Sequence, residues 1–201
     1  MTKTLDYYNQ NASQYSEGTY DADVSLLQQE FMSRLKPGSL ILDFGCGSGR
    51  DTRSFLDHGF QVEATDGSEE LCRIASAHTG ISVRQMLFQD LHEQNRYDGI
   101  WACASILHLN KTDLQQVLQQ MADALKDQGI AYISFKYGDF EGIRNERYFT
   151  YLKEDSLQAM LDQIPSLSLT KEWITGDVRQ DRHSEQWLNA IVTKRAGVCN
   201  S

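Results

Sequence analysis

Residues 39–50 read Ser-Leu-Ile-Leu-Asp-Phe-Gly-Cys-Gly-Ser-Gly-Arg, a short apolar run that ends in Asp43 and then Gly45, Gly47 and Gly49 at alternate positions. That pattern predicts a buried strand feeding a tight turn. Glycine is needed where the backbone takes conformations that a Cβ forbids, or where a ligand lies directly on the main chain. The usual occupant of such a turn between a strand and a helix is a nucleotide-like molecule.

Patterns after the turn alternate between the two regular periods. Residues 51–58 read as a helix stopped by Gly59, 60–65 as a second strand, 69–78 as a helix and 81–88 as a third strand. Residues 97–109 read as the fourth strand and its exit, an apolar run without alternation that suits a central parallel strand covered on both faces. Residues 111–126 carry the clearest amphipathic stripe, with Leu114, Val117, Leu118, Met121 and Leu125 on one side. A fifth strand (130–135), a long polar and aromatic connection (136–149), a helix (153–164) and a closing pair of strands (166–175 and 185–193) follow. At the start, Tyr8, Ala12 and Tyr15 fall on one helical face, and residues 24–35 make a second amphipathic helix ended by Pro37-Gly38. Strands alternating with helices imply a doubly wound parallel sheet whose ligands bind outside the carboxyl ends of the strands.

Several polar residues fall at those ends. Asp66 closes the second strand, roughly twenty residues beyond the first glycine, where a carboxylate can accept from both hydroxyls of a ribose. It would serve equally as a cap for the next helix, although Ser68 can do that alone. Asp90 follows the third strand, where by itself it reads as a turn acid. His108 leaves the fourth strand, either as an active-site group or as a packed imidazole.

The dinucleotide-binding fingerprint wants its third glycine at the sixth position of the turn, and here that position is Arg50. Asp43-x-Gly45-x-Gly47-x-Gly49 instead resembles the first motif of the class I S-adenosylmethionine-dependent methyltransferases. The resemblance covers about residues 5–195, including the Leu125-Lys126-x-x-Gly129 approach to the fifth strand. It implies a Rossmann-like α/β fold with a seven-stranded, mostly parallel sheet in the order 3-2-1-4-5-7-6, strand 7 antiparallel, and helices on both faces. It also implies S-adenosylmethionine as cofactor, S-adenosylhomocysteine as product and no metal. Asp43, Gly45, Gly47 and Arg50 would then belong to the cofactor turn, Asp66 and Gly67 to the ribose, Asp90 and Leu91 to the adenine, and Cys103 to the fourth motif. Tyr15 would fold over the cofactor; the alternative is a plain packing helix.

No motif identifies the methyl acceptor. The chain lacks Asn/Asp-Pro-Pro-aromatic and Pro-Cys, which two subclasses acting on adenine or glutamine nitrogen and on cytosine carbon carry. The expectation is transfer to an O, N, S or similar nucleophile of a small molecule, as in the ubiquinone-pathway and tellurite-resistance methyltransferases. His108, Arg179 and His183 are the catalytic candidates, and Tyr137, Arg144, Tyr148 and Arg182 the candidates for a lid over the substrate. A solvated charged turn is the other reading of the 176–184 loop. Alternatives in function are a noncatalytic cofactor-binding regulator and methylation of a tRNA base or protein side chain.

Composition bounds the rest. A formal charge of −9 disfavours a nucleic-acid backbone as partner. Cys46, Cys72, Cys103 and Cys199 show no CxxC spacing, so neither metal nor disulfide is expected. With 201 residues, two prolines and no linker-like run, one domain is expected: a helical cap (1–36), the sheet with its crossover helices (37–195) and a short tail (196–201). Neither a membrane span nor a signal-peptide core is evident, which leads to a cytoplasmic monomer or homodimer as the expectation.

Overall fold

The computed structural model describes residues 2–179 and 185–197. Its centre is β1 (Leu40–Phe44), four of whose five residues are buried. It pairs in parallel with β2 (Gln61–Asp66) on one side and β4 (Tyr97–Ala102) on the other. Beyond β2 lies β3 (Arg84–Gln85); beyond β4 come β5 (Leu125–Lys136), the antiparallel β9 (Gln186–Lys194) and β8 (Leu167–Gly176). The order β3-β2-β1-β4-β5-β9-β8 is the predicted 3-2-1-4-5-7-6 once the separate hairpin of β6 (Glu141–Arg144) and β7 (Arg147–Thr150) is left out of the count.

Side-chain alternation sends each strand's apolar residues to both faces. Ile41, Trp101 and Tyr132 pack with Phe31 of α3 (Ser25–Met32) and Phe55 of α4 (Arg50–Asp57); the Trp101 and Tyr132 rings stack with centroids 4.0 Å apart. Leu42, Phe44, Ile100 and Ile133 face the other way, against α6 (Lys111–Ala124) and α7 (Glu154–Leu161). α5 (Glu69–Thr79) crosses back after β2, while α1 (Thr2–Gln10) and α2 (Ala12–Tyr20) lie over the carboxyl ends of β1 and β2. Among the described residues no helix is long and apolar enough to cross a membrane.

Three segments refine or depart from the sequence expectation for local reasons, beside a fifth strand that begins at Leu125 and not at 130. The third strand contracts from 81–88 to two residues because it is an edge strand paired only with Thr65 and Asp66. Past that point the Met86 N–H bonds the Asp66 carbonyl and the chain turns into a single 3₁₀ turn at Phe88–Asp90. The fourth strand stops at Ala102, since the backbone then leaves the sheet. Ala104 has φ +51°, its N–H bonds Ser134 Oγ at 2.8 Å, and Ser105 Oγ donates to the Phe44 carbonyl at 2.7 Å. The supposed loop over 136–149 contains the β6–β7 hairpin, closed by Asn145 and Glu146, both with positive φ as a two-residue primed turn requires.

Candidate functional site

Strand order reverses between β1 and β4, and the crevice outside their carboxyl ends is where this fold class takes its ligands. Two adjoining cavities open there. The smaller, about 600 Å³, is lined by Gly45, Gly47, Asp66, Gly67, Met86, Leu87 and Phe88. The larger, about 1050 Å³ and open to solvent, runs from Arg50 and Cys103 past His108 to Lys136, Arg147, Phe149, Arg179 and Trp187. Tyr8, Tyr15, Gly45, Gly47, Ala104 and His108 border both, so the two form one continuous groove.

The glycine turn is a stack of close approaches. Gly45 has φ +87°, and a Cβ there would come within 2.5 Å of Ser105 Cβ. At Gly47, φ +56°, a Cβ would meet the Tyr15 ring at 3.2 Å. Asp66 ties this turn to the second strand: one carboxylate oxygen accepts the Gly47 N–H at 2.9 Å and the other the Ser68 N–H at 2.8 Å. Burial raises the Asp66 pKa while these backbone donors oppose it. Ser68, not Asp66, caps α5, its Oγ accepting the Leu71 N–H at 3.2 Å.

Below the turn lies a buried acidic pair. Asp51 accepts from Arg50 Nε at 2.8 Å, Trp101 Nε1 at 2.8 Å and Gln28 Nε2 at 2.7 Å. Burial would raise its pKa, but the Arg50 charge and these bonds hold it below the ordinary value. Asp43 accepts only from Thr52 Oγ1, at 2.5 Å, and burial next to Asp51 pushes its carboxyl up to about 8. The folded protein therefore keeps a proton on Asp43 that the unfolded chain has released above its ordinary value of 3.8. Folding takes up a proton in that window, so Asp43's contribution to stability declines as pH rises toward about 8. Asp43→Asn, which retains an acceptor for Thr52, is expected to flatten the fall in melting temperature between roughly pH 5 and pH 8. Superimposable pH profiles for the two proteins would refute this.

On the far wall His108 is fixed by both ring nitrogens. Nδ1 lies 2.7 Å from the Tyr148 carbonyl, which can only accept, so Nδ1 carries the hydrogen and Nε2 accepts the Tyr8 hydroxyl at 2.8 Å. Burial lowers its pKa to about 4, so the imidazole is neutral at physiological pH. Arg179 reaches the larger cavity clamped by both side-chain oxygens of Asp177, whose carboxyl sits at about 2; burial alone would raise it, but the Arg179 bonds and that from Trp187 Nε1 outweigh it.

The groove thus brings together Tyr15, Gly45, Gly47, Arg50, Asp66, Gly67, Cys103, His108 and Arg179. Cys103 is no ready nucleophile, its thiol pushed up to about 12 by burial. Other expectations are corrected. Asp43 borders neither cavity; its carboxylate is turned down onto Thr52 of α4. Asp90 is exposed and Leu91 is sealed in the core, because the shortened β3 brings the chain to the groove earlier, at Met86, Leu87 and Phe88. Of the lid candidates, Tyr137 donates to Glu154 of α7 at 3.0 Å and Arg144 lies 4.5 Å from the Phe140 ring centroid, both outside the cavities. Strand alternation in β7 points Arg147 and Phe149 inward and turns the Tyr148 side chain out to Glu141, leaving its carbonyl to His108. His183 and Arg182 lie outside the described residues.

Sequence reasoning does not single out Tyr8, Lys136, Arg147, Phe149, Asp177 or Trp187, all on the larger cavity or its rim. Lys136 carried a usable signal as the last residue of a central strand. Arg147 needed the hairpin to be recognised from its Asn-Glu turn.

Known proteins share this fold. Residues 41–129 match a family model described as a methyltransferase domain. YqeM of Bacillus subtilis (strain 168), a provisionally named methyltransferase, is 28% identical over 144 residues, 66% of this chain and 58% of YqeM; the matched region thus spans little more than half of that relative. The 1,6-didemethyltoxoflavin-N1-methyltransferase of Burkholderia thailandensis, solved with 1,6-didemethyltoxoflavin and S-adenosylhomocysteine, superposes with TM-score 0.78 at 19% identity, over 96% of this chain and 88% of that one. Magnesium protoporphyrin IX methyltransferase from Synechocystis PCC 6803, solved with S-adenosylhomocysteine, gives 0.73 at 18% identity, over 96% and 99%. At such identities the structural likeness speaks to fold, and the sequence match supplies the kinship. Together with the glycine turn, they make this chain similar to the class I S-adenosylmethionine-dependent methyltransferases, with the sequence likeness centred on residues 41–129.

Proposed function

We propose that the protein transfers the methyl group of S-adenosylmethionine to a small-molecule acceptor by in-line displacement, releasing S-adenosylhomocysteine. The observation that carries this reading is Asp66. Its carboxylate holds the glycine turn through the Gly47 N–H and borders the smaller cavity, in reach of the hydroxyls of a ribose. The cavity fits the group: a cradle that a Cβ at Gly47 would narrow against Tyr15, with Leu87 and Phe88 supplying an apolar slot for a flat base.

The bound cofactor supplies an activated methyl on a sulfonium, and the chain supplies position and exclusion of water. Gly45 and Gly47 let it lie against the main chain. Tyr15 covers it from above, and Ala104 and His108 border it where the smaller cavity opens into the larger. The acceptor then lies in the larger cavity. For an acceptor that must lose a proton, the unprotonated Nε2 of His108 is the base in place, reached through the Tyr8 hydroxyl that already bonds it: Tyr8 takes the acceptor's proton as it passes its own to Nε2. Among the described residues no cluster of side chains suited to a metal ion is found.

Calorimetric titration with S-adenosylhomocysteine, with reduced nicotinamide dinucleotide as control, tests the cofactor. Binding of the first alone at micromolar concentration is expected; binding of neither would sink the reading. Tight binding without turnover over a broad acceptor panel would point instead to a noncatalytic regulator.

A further inference from the structure

Among the described residues, four cationic side chains border the larger cavity: Arg50, Lys136, Arg147 and Arg179. Three already hold carboxylates. Arg50 pairs with Asp51, Lys136 with Glu185 and Arg179 with Asp177. Arg147 stands apart: among the described residues it has no ion pair, and its Nε is shut off from solvent with no hydrogen-bond partner. Its guanidinium carbon lies 4.5 Å from the Tyr7 ring centroid, 5.3 Å from Phe149 and 5.8 Å from Tyr8. Ring contacts and the neighbouring Tyr8 hydroxyl hold the cation in place, but no carboxylate among the described residues neutralises it.

A buried donor without an acceptor is costly, and a guanidinium is built to meet a planar anion with two parallel bonds. Arg147 borders the larger cavity without a carboxylate partner, so an anion bound there would supply the counter-charge it lacks. The walls around it are aromatic, with Tyr8, Tyr132, Phe149 and Trp187 on the same cavity, which favours a flat ring as the body of that ligand. Position separates this site from the end of the groove suited to the cofactor's own carboxylate. Arg50 sits with the glycine turn and the Thr19 carbonyl, whereas Arg147 sits at the other end, with Tyr8 and Phe149. The chain as a whole carries a charge of −9, so this cationic lining is a local departure from its surface.

We propose that the methyl acceptor is a small planar anion, an aromatic ring bearing a carboxylate or phosphate, and that Arg147 binds its negative group. This rests on the methyltransferase reading, since it assigns the larger cavity to the acceptor. Calorimetry with benzoate and phenyl phosphate, and with benzamide as the neutral counterpart, tests it on the protein with and without S-adenosylhomocysteine. At least one of the anions is expected to bind about tenfold or more tighter than benzamide, the preference that a charge-assisted pair of bonds confers. Arg147→Met should erase that preference while leaving the affinity for S-adenosylhomocysteine unchanged, and Arg147→Lys should keep part of it and control for packing. Equal binding of anion and amide, no binding of either anion at millimolar concentration, or a preference that survives Arg147→Met would overturn the proposal. So would a parallel loss of S-adenosylhomocysteine affinity in Arg147→Met, because it would assign the residue to the cofactor. Failure of the wild-type protein to bind S-adenosylhomocysteine is a separate result that strikes the methyltransferase reading itself.

Discussion

Gly45→Val is expected to lower the free energy of unfolding by about 2–5 kcal/mol, the sum of a left-handed backbone forced on a branched residue and an overfilled contact. The backbone there has φ +87°, and the first added carbon lies 2.5 Å from Ser105 Cβ and 3.1 Å from the Phe88 ring. Ser105 has little room to retreat, being buried and bonded through its hydroxyl to the Phe44 carbonyl. Denaturant titration reads the loss directly. A drop below about 1 kcal/mol would mean that the segment after β4 yields, and that the turn is not held as tightly as these contacts imply. Because Gly45 borders both cavities, the variant should also lose S-adenosylhomocysteine binding.

Asp66→Ala acts on binding more than on the fold. If the carboxylate accepts ribose hydroxyls, its removal should weaken S-adenosylhomocysteine by about 1.5–3 kcal/mol, roughly 10- to 150-fold. The same change strips the Gly47 and Ser68 N–H groups of their acceptor, so a loosened glycine turn would add to the loss. Asp66→Asn separates the two: it keeps an acceptor for a backbone donor but gives up the charge. An intermediate affinity is expected for it, and unchanged calorimetric affinity in Asp66→Ala would leave the residue as a structural tie alone.

What could be seen beforehand follows from how local the determining physics is. Apolar runs with turn residues between them sufficed for the strand order, because a parallel sheet buried on both faces leaves few ways to connect strands and helices. Gly45, Gly47 and Asp66 were legible for the same reason: backbone conformation and strand-end position are encoded within a few residues. Asp90 was misread because its expected place depended on the length of an edge strand, and a strand with one neighbour ends where that neighbour's bonds end. Asp43 shares the motif with the glycines yet serves Thr52, a distinction set by which way one side chain of a buried strand points. Tyr137, Arg144 and Tyr148 were chosen by chemistry within a stretch assumed to be loop; once it is a hairpin, alternation selects Arg147 and Phe149. Tyr8 and His108 are a hundred residues apart, and no local pattern announces their contact.

That contact belongs to a larger closure. Tyr8 bonds His108, Thr4 Oγ1 accepts the Tyr148 N–H at 3.0 Å, Asn9 Oδ1 accepts the Ser68 hydroxyl at 2.6 Å, and the Leu5 and Tyr15 side chains press on Gly67 and Gly47. All of these come from the first fifteen residues, and they end on groove-lining residues (Gly47, Gly67, His108) or beside them (Ser68, Tyr148). A nucleoside in the proposed site would lie beside these contacts, so its exchange is expected to depend on how firmly α1 and α2 are fastened. The start of the chain then serves as a buckle on the groove: a change at Thr4 or Asn9, away from Tyr8 and Tyr15, is expected to alter the pace of exchange more than the transfer step.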